Sequence, residues 1–409
     1  SAGDALTSGY DNIFLGRGAG GVATTGYRNF AVGHETGGGG NLTGYDNILI
    51  GHRAGYEMTD CDRNIAIGGI ALDAANSGED ANIAIGYATL TTLDGAGADH
   101  NTVVGSYAAE RMTTGKENSI IGHEAGAYLT TASGSVMMGE YAGRSVTTGN
   151  ENIAIGYRSL HGATTVGDRN IGIGSNSLGG GLTTGKDNVA IGQNALHENT
   201  EGYSNTAVGN SAGYNCTDGD VNVFLGNYAA YNATTVRQAV AIGHASAYSM
   251  TIDAEGTVAV GAVSLNSITS GAGNVAVGYS PLEKVTTGDY NTAVGTYALN
   301  KAGTDTSNNT AIGYGAGRYL GDDGASDHSE NNTIVGQTAM GGGHTSTPAG
   351  NTANHNVAIG AQALGGTTGT STNITTTNCV AVGVGAMKAI SSGYNNVSIG
   401  KDTGDSITT

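Results

Sequence analysis

The stretch Asn152-Ile153-Ala154-Ile155-Gly156 decides how this chain is to be read, because variants of it recur from end to end. The closing glycine is found in 22 copies, from Gly16 to Gly400, and 18 of the 21 intervals between copies are 17 to 19 residues. The other three intervals are 23 or 24 residues and lie together between Gly313 and Gly383. Self-similarity at this period marks a repeat architecture and has to be read before any local propensity.

Each position in the unit has its own chemistry. Ile, Leu, Val or Met precedes the glycine, as in Leu15, Ile67, Met138 and Val294. Two residues earlier the side chain is mostly β-branched, as in Ile13, Ile65, Val189 and Thr292, and a small residue, most often alanine, lies between them. The unit opens with asparagine in 18 copies; Ser135, Ala239, Thr257 and Cys379 replace it in the others. Ala, Ser or Thr follows three residues after the glycine, with Pro281 the one exception, then Gly, Leu, Ala or Met, and often a Thr-Thr-Gly turn such as Thr147-Thr148-Gly149.

Five residues rich in Ile and Val, closed by glycine and flanked by Gly, Asn, Asp and Thr clusters, predict a short strand between turns. One such strand cannot bury its own apolar face, so successive units must stack. The expected fold is all-β, a parallel β-solenoid (β-roll) of about 22 coils with 17–19-residue repeats, each coil advancing about 4.8 Å. The spacing leaves room for a second short strand carrying the Ala-Gly or Ala-Leu pair. Residues 1–313 read as a regular shaft, 314–383 as solenoid with longer repeats and loop insertions, and 384–409 as regular solenoid with an uncapped end. The lack of a recognisable cap at either end suggests a segment of a longer molecule, or a subunit that stacks end to end.

The asparagines, Asn12, Asn29, Asn47, Asn64, Asn82, Asn152 and Asn188 among them, suit an inward-facing amide ladder. Stacked amides donate and accept along a cross-β axis. The alternative role for them is sugar or ice binding. Gly156 and Gly192 belong to the column of closing glycines. The strand centre is in most copies Ala, or Phe14, Leu49, Ile120, Met137, Phe224 or Ile334, and never a charged residue, so the strand reads as buried on both faces. Small residues there would let sister chains approach, most simply three around an axis.

Composition narrows the functions. With 72 Gly in 409 residues, 12% charged residues and no 3.6-residue apolar period, little helix is expected. The net charge of −18 disfavours nucleic acid and anionic membrane as partners. No run of apolar residues is long enough for a transmembrane helix, and no leader peptide is visible at Ser1. Cys61 and Cys216 lie nine repeats apart and cannot bridge within one chain, so free structural thiols are expected. The seven N-x-S/T sequons are near chance in a chain so rich in Asn and Thr.

The NIAIG-x-x-Ala unit, as in Asn152 to Ser159 and Asn188 to Ala195, resembles the head repeat of trimeric autotransporter adhesins. The Thr-Thr-Gly-x-x-Asn spacer, as in Thr183 to Asn188, is similar to the shaft repeats of phage tail-fibre proteins. The resemblance covers nearly the whole chain and implies a parallel β-roll whose three copies form a surface-attaching trimer.

No nucleophile elbow, phosphate-binding loop, zincin helix or Cys-x-x-Cys pair is present, so no enzyme activity, cofactor or metal is expected. His34 and His52 occupy equivalent slots in adjacent repeats, where surface residues are the plainer reading and a metal ligand pair the sharper one. Tyrosine is the better clue to binding: 20 Tyr against three Phe and no Trp, many just outside the strand. Tyr27, Tyr45, Tyr157 and Tyr314, with Asp322 and His344 from the insertions, form the candidate binding surface for a glycan or host receptor. Corner-sealing ladders are the alternative reading of the tyrosines. The sequence therefore predicts an extracellular, cell-surface or virion fibre or adhesin that partners with itself. A filament subunit stacking end to end and an ice-binding solenoid built on Thr-Thr rows remain as alternatives.

Overall fold

A computed structural model describes residues 1–162, 167–181, 184–321, 329–341, 352–365, 374–390 and 392–405. The chain forms two compact units, residues 1–204 and 205–409. Among the described residues both are all-β, and each is a parallel β-solenoid.

In the first unit eleven three-residue strands, from Ile13–Leu15 to Val189–Ile191, come one per repeat and pair in parallel with the strands before and after. Equivalent motif residues lie over one another: Ile153, Ala154 and Ile155 pair with Ile171, Gly172 and Ile173. The second unit repeats this from Thr206–Val208 to Val397–Ile399. The register survives the longer repeats, since Thr310, Ala311 and Ile312 pair with Thr333, Ile334 and Val335. Within the 314–383 segment of longer repeats and loop insertions, Thr375–Thr377 forms a short strand against Ser392–Tyr394.

Two expectations are corrected. The segment after each closing glycine is not a second strand. Its second and fourth residues are left-handed, as at Ile70 (φ 52°) and Leu72 (φ 53°), or Ala88 (φ 54°) and Leu90 (φ 51°). Extended structure cannot accommodate those angles. The segment is still tied to its neighbours: Ile70 N–H donates to His52 O of the previous coil, and Leu72 N–H donates to Thr89 O of the next.

Within one chain the strand is also buried on one face only, and that face is not the flanking pair. Its centre points inward and its two flanks point outward. Ala154 is fully buried, as are Leu49, Ile120 and Met137, whereas Ile13 and Leu15 are 57% and 64% exposed and Ile121 is 42% exposed. Side chains alternate along a strand, so an inward asparagine at the first motif position puts the third inward and the second and fourth out.

The core is therefore narrow and shared between the strand centre and the turn. Where the centre is small, the turn supplies a leucine: Ala84 with Leu90, Ala154 with Leu160, all fully buried. Where the centre is large at Phe14, Leu49, Ile120 and Met137, the turn supplies glycine, although the match is not strict: Ala31, Ala207 and Ala311 also face glycines and Ile334 faces Met340. A Cβ at Gly143 would lie 2.3 Å from Met137 Sδ. This is the volume matching that close-packed interiors require.

Candidate functional site

The asparagines form a buried ladder. Asn29 Oδ1 accepts from Asn47 N–H and from Asn47 Nδ2, both at 3.0 Å, and Asn47 Nδ2 also donates to Cys61 O at 2.7 Å. Asn64 and Asn82 continue the pattern: Asn64 N–H donates to Asn47 Oδ1, and Asn82 N–H donates to Asn64 Oδ1. Asn12 begins it, donating to Gly26 O and accepting from Asn29 N–H. At Asn188 the amide donates to Asn170 Oδ1 and to Gly202 O. Each amide thus satisfies backbone groups that the turn into the strand leaves without partners. All these asparagines except Asn12 are buried, so they are not a surface for sugar or ice.

Asn152 shows what a missing rung does. Ser135 replaces asparagine in the preceding coil, and its Oγ accepts Asn152 N–H at 3.3 Å. Asn152 Nδ2 is left buried without a hydrogen-bond partner among the described residues. The closing glycines run beside the ladder. Gly156 has φ +122° and Gly192 φ +132°, and a Cβ on Gly156 would lie 2.9 Å from the carbonyl of Gly174 in the next coil. Left-handed geometry and coil-to-coil approach exclude a side chain there.

The tyrosines fall into separate ladders. Tyr10, Tyr27 and Tyr45 stack face to face, with centroids 5.0 Å apart and planes 7° from parallel. Arg28 lies 4.8 Å over the Tyr27 ring and is paired with Asp46. The nearby Asp62 carboxylate, by its charge and then by hydrogen bonding, pushes the Tyr45 hydroxyl above its ordinary range. Tyr157 instead meets Tyr141 edge to face at 6.2 Å and carries Arg158 at 5.1 Å. In the second unit Tyr314 meets Tyr297 at 6.1 Å, also edge to face. Asp322 and His344 lie outside the described residues.

Sequence spacing did not reveal a denser cluster around Tyr128. Arg111 lies 4.3 Å over its ring and Arg144 4.8 Å over it, so one half-buried aromatic sits between two guanidinium groups. Arg144 pairs with Glu124 and donates to Tyr128 Oη at 3.2 Å. The signal available in the sequence was the equal phase of Arg111, Tyr128 and Ser145, each six residues after its closing glycine.

His34 and His52 stack 5.3 Å apart, and with Glu35 they form a group whose ligand atoms lie within 4.8 Å of one another. The Arg17 guanidinium contacts His34 Nε2 directly. A cation would have to displace that positive group, which argues against a resident metal. Cys61, Cys216 and Cys379 are buried free thiols. Burial pushes the Cys61 thiol up to about 12, and its Sγ donates to Glu79 at 3.3 Å. A protonated, enclosed thiol is neither a nucleophile nor a metal ligand.

The Thr-Thr rows are largely committed internally. Thr113, Thr130 and Thr147 follow one another up the coils; Thr113 Oγ1 donates to Thr130 O and Thr130 Oγ1 to Thr147 O. The second threonines, such as Thr25 and Thr148, are exposed.

The remaining surface of note is the outer strand face. Among the described residues of the main sheet strands, no Asp, Glu, Lys or Arg occupies either outward position. Ile13, Ile48, Ile121, Met138, Ile312 and Ile359 all stand substantially exposed there. Among the described residues no helix is long and apolar enough to cross a membrane. The chain matches no protein-family model, and no curated protein matches it.

Proposed function

We propose that this chain is a structural attachment protein, a fibre or adhesin segment without enzyme activity, working at a cell or virion surface. Copies pack side by side through the outer strand faces, most simply three around an axis. The observation that carries this reading is the uncharged aliphatic outer face. A solenoid face that met water should carry polar residues alternating with the buried ones. Here the outward columns are Ile, Val, Leu, Met and Thr, with Phe30 and Ser119 the two others. Contiguous apolar patches of this kind mark association surfaces. A second copy has the same rung spacing, so its columns match rung for rung, and no charge has to be desolvated.

Mass measurement in solution tests this. Light scattering and sedimentation are expected to return three times the chain mass. Ile121→Asp combined with Met138→Asp should release folded monomers with an unchanged far-UV spectrum. A wild-type monomer at all concentrations would overturn the reading. Open-ended polymers that lengthen with concentration would favour the end-stacking filament instead.

A further inference from the structure

We propose that the cleft beside Arg111 and Tyr128 binds the acidic sugar unit of a glycan, gripping its carboxylate or sulfate group. This names the receptor chemistry for the attachment role and rests on that reading. The cleft has a volume of about 310 Å³ and is lined by Arg111, Tyr128, Thr130, Ser145 and Thr147. That is at the small end of ligand pockets and suits one sugar ring.

The charge pattern selects the anion. In this acidic chain most arginines near an acid are neutralised: Arg28 by Asp46, Arg63 by Asp80, Arg144 by Glu124, Arg169 by Asp187 and Arg237 by Asp220. Arg111 is exposed and makes no ion pair among the described residues; its guanidinium rests only on the Tyr128 ring. A guanidinium held flat on an aromatic keeps its N–H fork free for a planar carboxylate or a sulfate, which it grips in a bidentate manner.

The rest of the lining fits a sugar. Arg144 donates to Tyr128 Oη, and with both guanidinium groups over its ring this side chain is held in place. Tyr128 also lines the cleft, where its ring carbons add apolar surface beside the charged and hydroxyl groups. Thr130 Oγ1 spends its proton on Thr147 O and so offers acceptor capacity to sugar hydroxyls, while the Ser145 hydroxyl can donate or accept.

The test is calorimetric titration of the intact protein with N-acetylneuraminic acid, glucuronic acid, galactose 6-sulfate and neutral galactose. Saturable binding of at least one acidic sugar and none of galactose is expected. The carboxylate and sulfate arms show which anion is preferred. Arg111→Ala and Tyr128→Ala should each weaken binding by roughly tenfold to a hundredfold. Arg111→Lys should recover part of it, and Arg28→Ala should leave it unchanged. Absence of saturable binding by every acidic sugar, or wild-type affinity in Arg111→Ala, overturns the proposal. Adhesion of the wild type to glycan-bearing surfaces separates the two readings. Adhesion that survives Arg111→Ala sinks the cleft alone, whereas sugar binding without any adhesion sinks the attachment role alone.

Discussion

Ile120 and Ile121 are neighbours in one strand and carry the same side chain, yet Ile120 is fully buried and Ile121 is 42% exposed. The inner face of the strand is a closed packing problem, and at Ile120 the large centre is met by Gly126 in the turn. The outer face carries larger residues, mostly Ile, Val and Thr, and the inner packing of the same strand does not constrain them. The contrast shows that apolar character in this chain serves two ends, coil stability on the inner side and, in the reading proposed above, association with other copies on the outer side.

Substitution at the two positions should separate those ends most sharply. Ile120→Ala is expected to cost about 2–5 kcal/mol by denaturant unfolding of the dissociated chain. Ile121→Ala should cost about 1 kcal/mol or less under the same conditions. Equal losses at both sites would erase the distinction between the faces.

The ladder offers the next test. Asn101→Ala leaves Asn118 N–H and Gly115 O buried without their amide partner. A loss of about 2–4 kcal/mol is expected in thermal or chemical unfolding. The converse exists naturally at Ala239, where the backbone N–H still donates to Asn222 Oδ1 but no amide continues the column. Ala239→Asn should therefore stabilise the second unit by about 1 kcal/mol. A neutral or destabilising result there would mean the ladder sets register without adding stability.

The smallest effect expected is a pH dependence from Glu79, a fully buried carboxyl that interrupts the apolar interior. Its Oε2 accepts from Ser77 N–H and Cys61 Sγ, and its Oε1 has no partner among the described residues. Burial raises its pKa above the usual carboxylate range. The folded chain therefore holds this proton where the unfolded chain has released it. Stability from this group is complete below the unfolded value of about 4.3 and declines as pH rises through the raised folded value. Glu79→Gln should remove that decline and add on the order of 1 kcal/mol near neutrality. Unfolding curves at several pH values check this, and an identical slope in the variant would place the titration elsewhere. The same enclosure predicts that Cys61 resists thiol reagents until the chain unfolds.

Much of the fold was legible because its determinants are local. The closing glycines marked each coil, and the asparagine column was readable as an inward ladder from its phase and its short amide. The strand faces were misread because both flanks are aliphatic and the centre is small, which looks amphipathic in the wrong sense over only three residues. The Tyr27–Tyr45 stack could be anticipated from equal spacing. The Arg111–Tyr128–Arg144 sandwich could not, because Arg144 sits one residue out of phase with the other two and reaches the ring only through its side-chain conformation.

By itself the sequence determined the repeat, the coil boundaries and the parallel register, since these follow from glycine geometry and hydrogen bonds that recur every 17 to 19 residues. Only the tertiary structure decided which face of each strand is the core. The left-handed turn swings residues such as Leu90 and Leu160 into the interior, and a coil this narrow then has space for just one strand side chain. The larger pair is left facing out, where close packing in the core, and not hydrophobicity alone, has placed it.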